Sequence, residues 1–141
     1  MTGMLDSAAS TAGQYRPGVC NIGPAEIGRR RRSAITATVV AAIVALAIVA
    51  AGLPAIARLV LLPFAAAAAV TWLQVTRRFC VGFGAAGILN FGSLGTTISV
   101  TDAAARAADR RTALRMVLEG LVLGAVATLA YWAVTGWILP G

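Results

Sequence analysis

The sequence predicts an all-α integral membrane protein with three transmembrane helices and a cytoplasmic, amphipathic interfacial segment between the second and the third. Three observations predict it. The first is composition: 59% of residues are hydrophobic, 12% are charged, and mean hydropathy is +0.83. An ordinary soluble domain carries about 25% charged residues. The second is a set of three long apolar runs, beginning near Ser33, Ala55 and Met116, each able to cross roughly 30 Å of hydrocarbon. The third is the placement of charge, because all twelve basic residues are arginine. Arg16 and Arg29 to Arg32 precede the first run, and Arg77, Arg78, Arg106, Arg110, Arg111 and Arg115 lie between the second and third. Only Arg58 falls on the other side. This positive-inside bias puts the N-terminus in the cytoplasm and the C-terminus outside.

Taken in order, residues 1–20 read as a flexible cytoplasmic arm, since Gly3, Ser7, Ser10, Thr11, Gly13, Pro17 and Gly18 leave little to bury. No early apolar segment of a secretory signal is visible. Residues 21–32 read as a juxtamembrane basic helix. Pro24 suits a first helical position and Glu26 complements the positive helix start. Residues 33–78 read as a transmembrane hairpin. Its first span, Ser33 to Ala51, is uncharged, and Gly52-Leu53-Pro54 forms so short a turn that the next span must run antiparallel. In the second span Arg58 can snorkel outward, Pro63 is expected to kink the helix, and Arg77 and Arg78 stop it.

Residues 79–115 read as a Gly-rich interfacial segment followed by a polar helix. The glycine-rich stretch, residues 79–99, is apolar but ill suited to lipid as irregular backbone, so it is expected at the interface or packed against protein, with a shallow re-entrant loop as the alternative. In the polar helix Ser99 or Thr101 is the expected cap, and Asp102–Arg106 and Arg106–Asp109 are expected surface pairs. Residues 116–141 read as the third span, with Tyr131, Trp132 and Trp137 as an outer aromatic belt.

Several motifs bear on function. Gly82-Phe-Gly84-Ala-Ala-Gly87 imitates a dinucleotide fingerprint, with Asp102 twenty residues after Gly82. That fingerprint needs a surrounding parallel sheet, for which the chain has no room, so the glycines are expected to serve turns and close packing. Cys20 and Cys80 are both placed near the cytoplasmic membrane surface. They could form a thiol redox pair, or supply part of a metal site across a homodimer, although small apolar fillers are the simpler role. Histidine is absent, which removes the commonest metal ligand and the base of neutral pH.

Glu119 is the only acid in a span and can pair with Arg115, touch a partner, or mark an ion pathway. Gly120 and Gly124 form a GxxxG packing motif. Arg29, Arg30, Arg31, Arg32, Arg77 and Arg78 are expected to set topology and contact headgroups. The net charge of +7 is thereby assigned to the membrane, and nucleic acid is not an expected partner. No catalytic residue, cofactor or metal site is assigned.

The stretch Asn21-Ile-Gly23-Pro-Ala-Glu26-Ile-Gly-Arg29-Arg30 resembles the opening motif of small bacterial inner-membrane hairpin domains found with rhodanese-type sulfurtransferases. Those domains carry Phe-Cys after a two-helix hairpin, matched here by Phe79-Cys80. The likeness spans about residues 20–84. The chain lacks the proline that often follows the family's cysteine, has no rhodanese domain, and adds a glycine-rich segment and a third span. The resemblance implies a membrane module near sulfur or redox chemistry and assigns no catalytic residue.

The expected function is a small polytopic protein of the bacterial inner membrane, a non-enzymatic accessory, anchoring or assembly subunit. Its partners would be the bilayer and other membrane subunits or itself. The alternatives are a thiol-based redox or metal-binding protein using Cys20 and Cys80, and a small transporter or channel using Glu119.

Overall fold

A computed structural model describes residues 14–139. Its helices are α1 (Pro24–Ala50), a 3-10 helix (Ala55–Val60) running into α2 (Leu61–Arg77), a short α3 (Val81–Ala86) and α4 (Ala103–Ile138). Strands β1 (Ile88–Leu89) and β2 (Ile98–Ser99) pair antiparallel, Ile88 opposite Ser99 and Leu89 opposite Ile98. Three helical stretches, Pro24–Ala50, Ala55–Arg77 and Ala103–Ile138, are long and apolar enough to cross a membrane.

The expected boundaries between juxtamembrane helices and spans are not breaks. Residues 24–50 form one helix, as do residues 103–138. No glycine at positive φ or proline interrupts either run, so helical hydrogen bonding passes from the polar into the apolar part.

Pro63 acts differently from a mid-helix kink. It has no N–H to give Leu59, and its ring crowds that carbonyl. The chain upstream takes the tighter 3-10 form, and regular α-helix starts at Leu61, two residues before the proline.

The three long helices interlock by specific contacts. On α4, a Cβ added at Gly124 would sit 2.6 Å from Ala66 Cα, and one at Gly120 would strike Val70. The GxxxG pair thus faces α2 inside this chain, and its missing side chains let the backbones approach. Trp72 Nε1 donates to Thr38 Oγ1 at 3.0 Å, and Tyr131 OH donates to the Ala45 carbonyl at 2.7 Å, tying α2 and α4 to α1.

One end of the bundle is closed by a cap. There Phe79, Ala113 and Met116 form a buried cluster with Leu73 and Val81 beside it. A second cluster of Leu89, Val100 and Ala105 packs against Tyr15 and Phe91. The glycine-rich stretch is accordingly more ordered than irregular backbone and packs against the rest of the chain. It forms α3 and the β1–β2 hairpin, and Gly87, at φ +72, caps α3 and turns the chain into β1.

Candidate functional site

The polar centre of the cap is Asn21. Its Nδ2 donates to the Cys80 carbonyl at 3.1 Å, and its Oδ1 accepts from the Cys80 N–H at 2.7 Å. Both backbone groups of a fully buried residue are satisfied by one amide, which is why asparagine suits the position. The Asn21 N–H donates to the Arg78 carbonyl, and its own carbonyl accepts from Asn90 N–H at 3.0 Å. Gly23 follows because a Cβ there would lie 2.8 Å from Phe91 Cα. The two motif pieces, residues 21–30 and Phe79-Cys80, therefore meet.

Asn90 organises the opposite wall. Its Oδ1 accepts from Gly92 N–H and Thr96 Oγ1, and its Nδ2 donates to the Ser93 carbonyl at 2.9 Å and reaches Glu26 Oε1 at 3.4 Å. Glu26, 2% exposed, accepts from Arg29 Nε and Nη2 on its other oxygen at 3.1 and 2.8 Å. A carboxylate this deeply buried is costly to the fold without such hydrogen-bond partners.

The cysteines occupy different settings, and both are free thiols. Cys80 is buried, and its Sγ accepts from Arg30 Nη2 at 2.8 Å and from the Phe83 N–H at 3.5 Å. The Arg30 guanidinium also lies 5.9 Å above the Phe83 ring. Cys20 is half-buried, donates weakly to the Ile22 carbonyl, and borders a groove. Among the described residues no group of three or more His, Cys, Asp or Glu side chains could hold a metal ion.

Asp109 is the residue that sequence reasoning placed wrongly. It was expected on the surface beside Arg106, yet it is fully buried. Tyr15 OH donates to its Oδ2 and the Gly18 N–H to its Oδ1, both at 2.7 Å. Thr112 Oγ1 completes the clasp by donating to the Gly18 carbonyl at 2.8 Å. Gly18 has φ +69, a conformation glycine adopts without a Cβ penalty.

Residues 14–20 are thus a strap fastened to α4. The expected flexible arm is corrected over that stretch, and residues 1–13 lie outside the described residues. Burial first, then the hydrogen bond to Asp109 and its charge, raise the Tyr15 phenol above its usual range. Arg106 instead donates to the Val100 and Thr101 carbonyls, and Asp102 itself caps α4 by accepting from Ala105 N–H at 2.7 Å.

Glu119 pairs with Arg77 of α2 at 2.5 Å, where Arg115 was the expected partner. Both lie on a shallow, laterally open slot between α2 and α4 that is otherwise lined by Leu73, Leu114, Leu118, Val122 and Leu123, with Arg111 and Arg115 at its edge. A larger groove of about 720 Å³ lies between the strap, the start of α1 and the end of α2, and Arg16, Arg31, Arg77 and Arg78 line it. Arg29, Arg30 and Arg32 stand apart from it: Arg29 holds Glu26, Arg30 holds Cys80, and Arg32 borders a separate surface hollow with Ser33 and Leu94.

Comparison with family models, curated proteins and solved structures finds no match for this chain.

Proposed function

We propose that this chain is a polytopic protein of the bacterial inner membrane that serves as a non-enzymatic anchoring or accessory subunit of a larger membrane complex. The observation that carries the reading is the contrast between the two ends of the bundle. One end holds the hydrogen-bonded cap and every arginine except Arg58. Among the described residues, the other has only the residue 51–54 turn and helix ends.

Between the ends the helices expose large apolar side chains. Ile43 is 59% exposed, Leu46 70% and Leu129 63%. In water that surface would cost about 25 cal/mol per Å², whereas hydrocarbon or a partner helix covers it without penalty. Positive-inside bias assigns the arginine-rich cap to the cytoplasm and the C-terminal end to the outside.

An anchoring role is favoured over transport by the way α2 and α4 meet. At Gly120 and Gly124 the two helices are in close contact, and Glu119 turns sideways to Arg77. The implied division of labour gives the bundle to the membrane and the cap to soluble contacts.

Extraction of the tagged full chain in a mild detergent, after crosslinking in cells, tests the role. The expected result is stoichiometric recovery with one or more larger membrane proteins. Recovery only as an isolated monomer overturns it. A reporter fused after residue 141 tests the topology, and activity in the cytoplasm would reverse the assignment.

A further inference from the structure

The groove beneath the strap has an unusual charge balance. Arg16 enters it from the strap, Arg31 from α1, and Arg77 and Arg78 from the end of α2. Among the described residues, no acidic side chain lines it. The chain has five acids; of the four within the described residues, three are committed elsewhere and one is paired with Arg77. Glu26 holds Arg29, Asp102 caps α4, Asp109 holds the strap, and Glu119 holds Arg77. Among the described residues, Arg16, Arg31 and Arg78 therefore have no carboxylate partner.

Like charges gathered around one cleft repel each other and focus a positive potential into it. Gly23, Pro24 and Ile27 bring the positive end of the 27-residue α1 to the same space. Guanidinium groups arriving from three chain segments can surround a tetrahedral anion with several oxygens. A carboxylate, with two oxygens, would leave part of that set unused. Ile22 and Phe91 add an apolar wall, which suits an organic group carried on the anion.

We propose that this groove is a binding site for a phosphate ester or diphosphate, with Arg16, Arg31 and Arg78 as its ligands and Arg77 shared with Glu119. The phosphate can arrive from the bilayer as an anionic lipid headgroup or from solution as a free phosphate compound. The binding reaction itself does not depend on the accessory role proposed above.

Cys20 supplies a built-in reporter, because it borders the groove and is the less buried of the two thiols. The full chain is reconstituted in phosphatidylcholine nanodiscs, and maleimide labelling of Cys20 is followed in a Cys80→Ser background. One arm adds inorganic pyrophosphate. The other replaces part of the phosphatidylcholine with phosphatidylglycerol. Saturable slowing by pyrophosphate identifies a soluble ligand, and slowing by phosphatidylglycerol alone identifies a lipid headgroup.

Either result requires that Arg16→Gln/Arg31→Gln/Arg78→Gln weaken the effect on the order of tenfold or more, the scale of one lost charge-assisted contact. Arg32→Gln/Arg110→Gln/Arg111→Gln removes the same charge elsewhere and must leave it unchanged. Arg16→Gln alone guards against misfolding of the triple variant, because only the backbone of Arg16 hydrogen-bonds within the strap, and it must weaken protection severalfold. The proposal is overturned if neither probe protects Cys20, if both triple variants weaken protection equally, or if Arg16→Gln has no effect.

Discussion

Replacing Gly124 with alanine should destabilise the bundle, whereas the same replacement at Gly136, twelve residues along the same helix, should not. A Cβ at Gly124 would lie 2.6 Å from Ala66 Cα and N and 2.8 Å from Ala66 Cβ. Non-bonded carbons rest roughly 3.5–4.0 Å apart, so α2 and α4 would have to separate by about 1 Å. The obstructing atoms are mostly backbone, so no rotamer change relieves them. Overpacking of this kind costs about 1–3 kcal/mol.

At Gly136 the new Cβ would meet only Arg58 Nη1 at 3.5 Å, near the tip of a flexible side chain. Alanine there gains helix propensity of about 0.5–1 kcal/mol. Unfolding of the purified full chain by sodium dodecyl sulfate in mixed micelles, followed by circular dichroism, compares the three proteins under one protocol. The expected order of stability is Gly136→Ala at or above the native chain, and Gly124→Ala below it. A Gly124→Ala variant as stable as Gly136→Ala would refute the close α2–α4 contact.

Three further outcomes follow from the cap. Asp109→Ala removes the acceptor for Tyr15 OH and Gly18 N–H, two bonds to a charged group, and should cost about 2–4 kcal/mol; faster amide exchange at Gly18 reads this directly. Because the folded-state pKa of Tyr15 is raised, its contribution is complete below the unfolded value near 10 and is lost as pH climbs toward the folded one. Stability should fall in alkali, less so in Tyr15→Phe, and equal alkaline sensitivity in the two would count against the clasp. Asn21→Ala orphans the buried N–H of Cys80, whose carbonyl keeps the Gly84 N–H, at about 1–3 kcal/mol. In the native chain Cys20 should label with maleimide well before Cys80, and Asn21→Ala should narrow that gap.

The three apolar helices were legible because hydrophobic length is a local property. Ser33, Ala55 and Met116 open runs that no alternative structure would tolerate. Gly52-Leu53-Pro54 was equally plain as a turn. What escaped were polar groups whose partners lie far off along the chain. Asp109 stands between Arg106 and Arg110, a setting that reads as a solvated helix face. Its partners are Tyr15 and Gly18, over ninety residues away.

Asn21 and Asn90 escaped for the same reason, although each sits among apolar or glycine neighbours. Such isolation of an amide is the one local sign that it satisfies buried backbone. The arginine-lined groove was visible as a count of charges near one end. Its assembly from residues 16, 31, 77 and 78 needed the fold.

The unbroken 36-residue α4 has a mechanical consequence. At ~1.5 Å per residue it is about 54 Å long, well beyond a hydrocarbon thickness of roughly 30 Å. The strap grips it near one end, at Asp109 and Thr112, and Tyr131 meets α1 about 30 Å further on. From Asp109 to its end at Ile138 the helix runs about 44 Å, so a tilt of about 5° at the strap would carry its far tip by roughly 4 Å. Because Gly120 and Gly124 seat α4 against α2 along the way, a movement beneath the strap that reached Trp137 would have to carry α2 with it.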